Sequence, residues 1–198
     1  MVVVCLLGAT GGCGRAFLGL ALERGHTVRA LARTPTKIES EHERLTVLQG
    51  CATVAKDVAD AAAGCDIVVS CVGNSDKRQI MKTLVDNVLA VQPPRFYCIT
   101  SLGMGGSSPT VRFLLGMFIG WANIRDYEAA DKAVLDAGFT VVRPTELKDI
   151  EGTGKYLATA ATGMAMKPLS KPDVGLFLAD VLDDTTWDGK AVQLYFAP

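Results

Sequence analysis

The chain has 198 residues, 49% of them hydrophobic and 21% charged, with a formal net charge of −1. That length accommodates one α/β unit with a sizeable core and is too short for two, and the apolar content excludes an intrinsically disordered chain. Acidic and basic residues are mixed along the sequence rather than gathered in runs, so neither nucleic acid nor an anionic membrane surface is an expected partner.

The first apolar run, residues 2–7, lacks a basic leader and stops at a glycine, so it reads as a strand rather than a signal peptide. It leads into Gly8-Ala9-Thr10-Gly11-Gly12-Cys13-Gly14, and apolar residues then recur at helical spacing over 12–24. Three glycines between a strand and a helix are a specific signal for a dinucleotide phosphate loop. Gly8 allows the tight turn, Gly11 lets the backbone approach a pyrophosphate, and Gly14 lets helix and strand pack closely. The helix start adds free N–H groups and the positive end of its dipole. Thr10, Gly12 and Cys13 complete the expected cradle.

The second strand, 27–32, ends in Ala30-Leu31-Ala32-Arg33-Thr34. An acid here would bond a ribose 2′-hydroxyl, and none is present. Arg33 stands about twenty residues beyond the glycines, where a guanidinium pairs with the 2′-phosphate of NADP. NADP(H) is therefore expected ahead of NAD(H), with Thr34 beside the arginine and Arg15 and Lys37 near enough to share its role.

Further strands are expected at 45–48, 66–72, 96–100, 140–143 and 191–196, alternating with helices at 54–63, 77–91, 123–137 and 172–182. Gly25, Gly64 and Gly138 sit where helices should end. This alternation predicts a doubly wound parallel sheet of Rossmann type with helices on both faces. It forms one domain over 1–198, in which 144–170 makes a substrate-side loop region. Ligands of such sheets bind beyond the carboxyl ends of the strands, which gathers Gly50-Cys51, Cys71-Val72-Gly73-Asn74, Thr100-Ser101 and Arg143-Pro144 around one site. The loop 105–109 borders it.

The stretch 113–122 is shorter than the roughly twenty residues of a membrane span. Together with Met104, Met164 and Met166, its Phe113, Met117, Phe118 and Trp121 suit either core packing or a flat apolar pocket. Residues 114–121 are also a candidate contact surface, so monomer and homodimer both remain open. The six cysteines show no CxxC pair and no histidines at metal-ligand spacing. They read as reduced thiols of a cytoplasmic protein, not as a disulfide framework or metal site. His26 and His42 read as solvated surface.

The glycine loop, Arg33, Ser101 and Gly138-Phe139-Thr140-Val141-Val142-Arg143-Pro144 together resemble the atypical short-chain dehydrogenase/reductase family over nearly the whole chain. Within it, the short length and the ending from Ser170-Lys171-Pro172-Asp173-Val174-Gly175 to Trp187-Asp188-Gly189-Lys190 look most like the biliverdin IXβ reductase/flavin reductase group and its NmrA-like relatives. The resemblance implies that the ends of the third, fourth and fifth strands frame adenine, ribose and nicotinamide. Two positions depart from the pattern. Cys51 stands where such proteins often have an aspartate near the adenine, and a thiol is a far weaker partner. Typical members use a Tyr-x-x-x-Lys pair, but Tyr127 has Asp131 four residues on, and Lys132 falls off the tyrosine's helical face.

The Tyr–Lys mechanism therefore does not carry over. The resemblance instead implies direct hydride transfer from NADPH to a small planar conjugated acceptor, namely a flavin, a quinone or a biliverdin-like tetrapyrrole. Ser101 is the candidate to orient the acceptor or carboxamide or to relay a proton, beside its reading as a loop serine bonding local backbone. Tyr127 is a candidate general acid or ring contact, beside a structural role. Arg143 either attracts an acidic acceptor group under a closing loop at 145–154 or forms a structural salt bridge. The alternative from another class is a non-catalytic NADP(H)-binding sensor like the NmrA-like regulators. A nucleotide-sugar dehydratase or epimerase is disfavoured, because little chain follows Pro144 to build a sugar-nucleotide lobe.

Overall fold

A computed structural model of the chain describes residues 1–74, 79–105, 113, 116–160 and 167–197. The strands are β1 (Val3–Leu7), β2 (Thr27–Ala32), β3 (Leu45–Gln49), β4 (Ile67–Ser70), β5 (Phe96–Ile99), β6 (Thr140–Pro144), β7 (Leu147–Lys148), β8 (Tyr156–Thr159), β9 (Leu169–Ser170) and β10 (Ala191–Phe196). The helices are α1 (Gly12–Glu23), α2 (Ala55–Ala62), α3 (Met81–Ala90), α4 (Trp121–Asp136) and α5 (Lys171–Asp180).

Eight strands form one sheet in the order β3-β2-β1-β4-β5-β6-β10-β8, while β7 and β9 pair separately. Every pairing in the large sheet is parallel except β10 with β8. The strand order reverses direction between β1 and β4, which makes the crevice beyond their carboxyl ends the expected ligand position of a doubly wound Rossmann sheet.

Alternation along the strands builds the two faces. Val4 and Leu6 of β1 join one cluster with Phe17 and Leu18 of α1 and Val174, Phe177 and Leu178 of α5. Cys5 and Leu7 join the other, with Val58 of α2, Met81, Leu84 and Val85 of α3 and Val134 of α4. Both faces are apolar, as a parallel sheet covered on both sides requires. Gly25, Gly64 and Gly138 all take the left-handed conformation at helix ends, where a side chain would be strained.

Three expectations are corrected. His26 is buried, only 2% exposed, because the start of β1 and the turn after α5 cover it. Its Nδ1 accepts the Val2 N–H at 3.3 Å and its Nε2 faces Asp183 at 3.4 Å. Second, the region 144–170 is not wholly loop: β7 and β9 pair with each other, and β8 adds an antiparallel edge strand to the sheet. Third, the apolar stretch before α4 is neither core nor a closed pocket where it is described. Phe113, Met117, Phe118 and Trp121 are exposed, Phe118 by 85%, whereas Met104 is fully buried. Met164, Met166, residues 106–112, 114–115 and the expected helix start at 77–78 lie outside the described residues.

Candidate functional site

The phosphate loop is built by close backbone approach. Gly8 has φ +89°, and a Cβ there would lie 2.9–3.0 Å from the backbone of Cys71 and Val72 at the end of β4. A Cβ at Gly14 would fall 2.1 Å from the Gly8 carbonyl oxygen, so α1 rests directly on the turn. At Gly11 a Cβ would meet only the Gly8 oxygen, at 3.6 Å, and the loop is open above it. Helix α1 begins without a side-chain cap and without an acid in its first turn. Its orphan N–H groups and positive dipole end therefore suit an anion.

That loop opens into a cleft of about 300 Å³ lined by Gly8, Thr10, Gly11, Leu31, Ala32, Arg33, Gly50, Cys51, Ala52, Thr53, Cys71, Val72, Gly73 and Ile80. The cleft thus runs from the start of α1 to the ends of β2, β3 and β4, and seven of the sequence-derived cofactor residues line it. Arg33 and Thr34 are exposed at the tip of β2. Cys51 is half-buried, with its N–H bonded to Asp57 of α2 at 2.8 Å and its Sγ 3.1 Å from the Thr53 hydroxyl. These residues fit a phosphorylated dinucleotide: an uncapped helix start for the pyrophosphate and an exposed guanidinium at a strand end without a carboxylate.

The remaining expected residues are placed differently. Cys13 points into the core, and burial pushes its thiol up to about 11. Gly12 lies under Lys171, whose Cδ would be 2.6 Å from a Cβ there. The Lys171 ammonium pairs with Asp149 at 2.7 Å. The loop carrying Asp149 is tied to α5 through Asp173, which accepts the Thr153 and Gly154 N–H groups at 2.9 and 3.0 Å. Burial raises the Asp173 carboxyl, but bonds from Ser170, Thr153 and Gly154 outweigh that and hold it below the usual range.

Beyond β4, the Asn74 N–H donates to the Tyr127 phenol at 2.9 Å, and the Asn74 side-chain amide donates to Asp126 at 2.9 Å and to Asn123 at 3.3 Å. Asp126 also accepts the Met81 and Lys82 N–H groups at 2.8 and 3.1 Å, capping α3. Asn74 and Tyr127 are thus knotted to each other and to α3. Burial pushes the Tyr127 phenol up, only partly offset by its bond from Asn74, so it holds its proton more firmly than a free tyrosine.

Beyond β5, Ser101 is half-buried, and the Thr100 hydroxyl donates to Asp131 at 2.8 Å. Asp131 receives Arg143 through Nε at 2.9 Å and Nη2 at 2.6 Å, and Pro144 is buried at the end of β6. The salt-bridge reading of Arg143 holds, and attraction of an acidic acceptor does not, because the guanidinium is 3% exposed and already engaged. Lys132 points outward to Asp136 at 2.5 Å. Among the described residues no helix is long and apolar enough to cross a membrane.

Comparisons with known proteins agree with this geometry. A family model described as NAD(P)H-binding matches residues 8–185. A 3-beta-hydroxysteroid dehydrogenase from Mycolicibacterium neoaurum is 38% identical over 65 residues, which span 33% of this chain and only 18% of that protein. The anaerobilin reductase ChuY from Escherichia coli O157:H7 superposes with a TM-score of 0.78 at 23% identity, covering 99% of each chain. A Streptococcus pneumoniae TIGR4 protein provisionally named an NADH-flavin reductase gives 0.81 at 18% identity over 100% of both. A wide-type short-chain dehydrogenase/reductase from Veillonella parvula, solved with NADP, gives 0.79 at 15% identity over 98% of this chain and 94% of that one. At such identities the three structures establish a shared fold.

Proposed function

Since the chain belongs to the NAD(P)H-binding family, we propose that it is an NADPH-dependent reductase of the atypical short-chain dehydrogenase/reductase type acting on a planar conjugated acceptor. A flavin, a quinone or a linear tetrapyrrole would fit. The observation that carries the reading is the single cleft joining the uncapped start of α1 to Arg33 at the tip of β2. NADPH, when bound, supplies the hydride.

The chain's own residues position and exclude. Backbone N–H groups at the start of α1 hold the pyrophosphate, while the Lys171 ammonium near Gly12 is engaged by Asp149. Arg33 pairs with the 2′-phosphate. Thr53 and Cys51 border the adenine end. Val72 and Gly73 line the inner wall, with the Tyr127 phenol within 3.1 Å of where a Gly73 Cβ would be. Ser101, beyond β5, orients the acceptor or the carboxamide.

The acceptor class is supported by what stands in the proton-donor position. The residue four beyond Tyr127 is a buried, arginine-bound aspartate, so no ammonium is placed to lower the phenol's affinity for its proton. A planar conjugated acceptor asks least of a side-chain acid, since charge delocalises over the acceptor and water can deliver the proton. The names of the E. coli and S. pneumoniae structural relatives point the same way.

The test is to mix the protein with NADPH and excess FMN, menadione or a biliverdin and follow absorbance at the nicotinamide band, with NADH in parallel. NADPH oxidation with at least one acceptor supports the reading. Tight NADPH binding with no oxidation across the panel overturns it and favours the non-catalytic sensor.

A further inference from the structure

The segment carrying Ser101 continues from the end of β5. Its backbone meets β6 through the Thr100 N–H to Val142 at 2.8 Å and the Leu102 N–H to Pro144 at 3.2 Å. The Thr100 side chain reaches a buried polar cluster. Thr100 donates to Asp131 Oδ1, and Arg143 donates to both Asp131 oxygens. Farther along, Gly105 packs on the Arg143 guanidinium so closely that a Cβ there would lie 2.1–2.6 Å from its atoms, with φ at +62°. Thr100 and Gly105, on either side of Ser101 to Met104, therefore rest on one ion pair.

That pair is an unexpected thing to bury. Asp131 and Arg143 are 2% and 3% exposed, and a buried ion pair is poor evidence for stability, since apolar residues of similar volume serve folding as well or better. What it supplies is direction. A carboxylate gripped at both oxygens by one guanidinium has a fixed plane, and the remaining bond, from Thr100, transmits that plane to the end of β5. The same helix α4 holds the end of β4 one turn earlier, through Asp126 and Tyr127.

We infer that Asp131 and Arg143 are positioning residues for the reductase reaction, setting the pose of the Ser101 to Gly105 segment against the reacting pair. They touch neither cofactor nor acceptor. This rests on the reductase reading above for its kinetic consequence, but not for its structural one. The α4 helix thus registers the ends of β4 and β5 from a single face, in place of an acid–base pair on that helix.

The test uses Thr100→Val, which removes the donor to Asp131 at nearly constant volume, and Thr100→Ser, which restores it, with Asp131→Asn as the harsher change. Each is read by NADPH calorimetry, by kcat and KM with the acceptor that wild type turns over, and by hydrogen exchange in the NADPH complex. The expected result for Thr100→Val is kcat lower by about tenfold or more with NADPH Kd within about twofold, and faster exchange confined to residues 101–105. Thr100→Ser should return both to wild type. A purely structural brace would lower Tm and affect binding and turnover together. Unchanged exchange at 101–105 in Thr100→Val, or exchange raised equally across the sheet, overturns the inference. If wild type shows no turnover with any acceptor, the reductase reading fails by itself, and the exchange pattern still decides whether the pair positions the segment.

Discussion

Gly11 and Gly14 invite the same substitution with opposite consequences. At Gly14 an added methyl would sit 2.1 Å from the Gly8 carbonyl oxygen and 2.8 Å from its carbon, well inside the 3.0 Å that Cβ contacts respect. Both neighbours are backbone, so α1 and the turn must part. Overpacking of this kind costs about 1–3 kcal/mol, or roughly 2–12 °C of Tm in a chain of this size. At Gly11 the methyl would meet only the Gly8 oxygen at 3.6 Å, an ordinary contact, and the backbone there is extended at φ −81°. Gly11→Ala should therefore fold with Tm within about 2 °C of wild type, a slightly poorer N-cap being offset by a less flexible unfolded chain. The methyl nevertheless occupies the space an anion needs above α1. Calorimetry with NADPH should show Kd raised at least about 100-fold for Gly11→Ala, the loss of several charge-assisted N–H bonds. Wild-type affinity in a well-folded Gly11→Ala protein would refute the placement of the pyrophosphate on this loop.

Arg33→Ala removes one charge-assisted contact and should weaken NADPH by about 10–150-fold while moving NADH by less than about twofold, as read by parallel titrations. Equal losses for both nucleotides would mean that Arg33 does not select the 2′-phosphate. Tyr127→Phe leaves the Asn74 N–H without its acceptor and should cost about 1–3 kcal/mol of stability, yet keep most of kcat. A collapse of kcat by a thousandfold with Kd unchanged would instead make the phenol a proton donor. Burial pushes the thiols of Cys5 and Cys98 up to about 12 and that of Cys13 up to about 11. These thiols stay neutral in the folded chain while the unfolded ones ionise above pH 9. Stability is then whole well below pH 9 and falls as pH rises through 9 toward 11, by at most about 1.4 kcal/mol per pH unit for each thiol. Chemical denaturation at pH 8, 9.5 and 10.5 checks this, and a flat profile would contradict it.

The nucleotide half was legible because it is local. The strand-loop-helix unit, the arginine at the tip of β2 and the strands at 27–32 and 191–196 follow from adjacent residues, the two strands with the observed bounds and the unit to within one residue at each element. The other half depends on neighbours far along the chain. Tyr156 to Thr159 lacks an alternation of its own and becomes a strand because Phe196 to Gln193 lie open beside it. His26 is polar, and its burial is imposed by Val2 and Asp183, which the sequence keeps far away. Asp131 left a readable trace: it falls between Ala130 and Val134 on the buried stripe of α4, and an acid on such a stripe requires a buried partner. The partner, Arg143, sits on the next strand, and only the register of β5 with β6 brings it under Thr100.

The absent Tyr-x-x-x-Lys pair and the buried Asp131–Arg143 pair then become one physical statement. A tyrosine whose phenol is to release a proton needs a nearby cation; here the residue four positions on is Asp131, and the cation beside it, Arg143, is neutralised by it at 2.6 Å. What reaches Tyr127 is a backbone N–H and burial, which leave its proton more tightly held. Helix α4 therefore contributes geometry, not acidity: its first half fixes Asn74 and the start of α3, and its second half fixes Thr100. On the proposed reductase reading, such a site gains rate from holding two flat partners in register and from excluding water. Substitution of Asp131 should therefore alter kcat through misalignment, and leave the pH dependence of turnover in place.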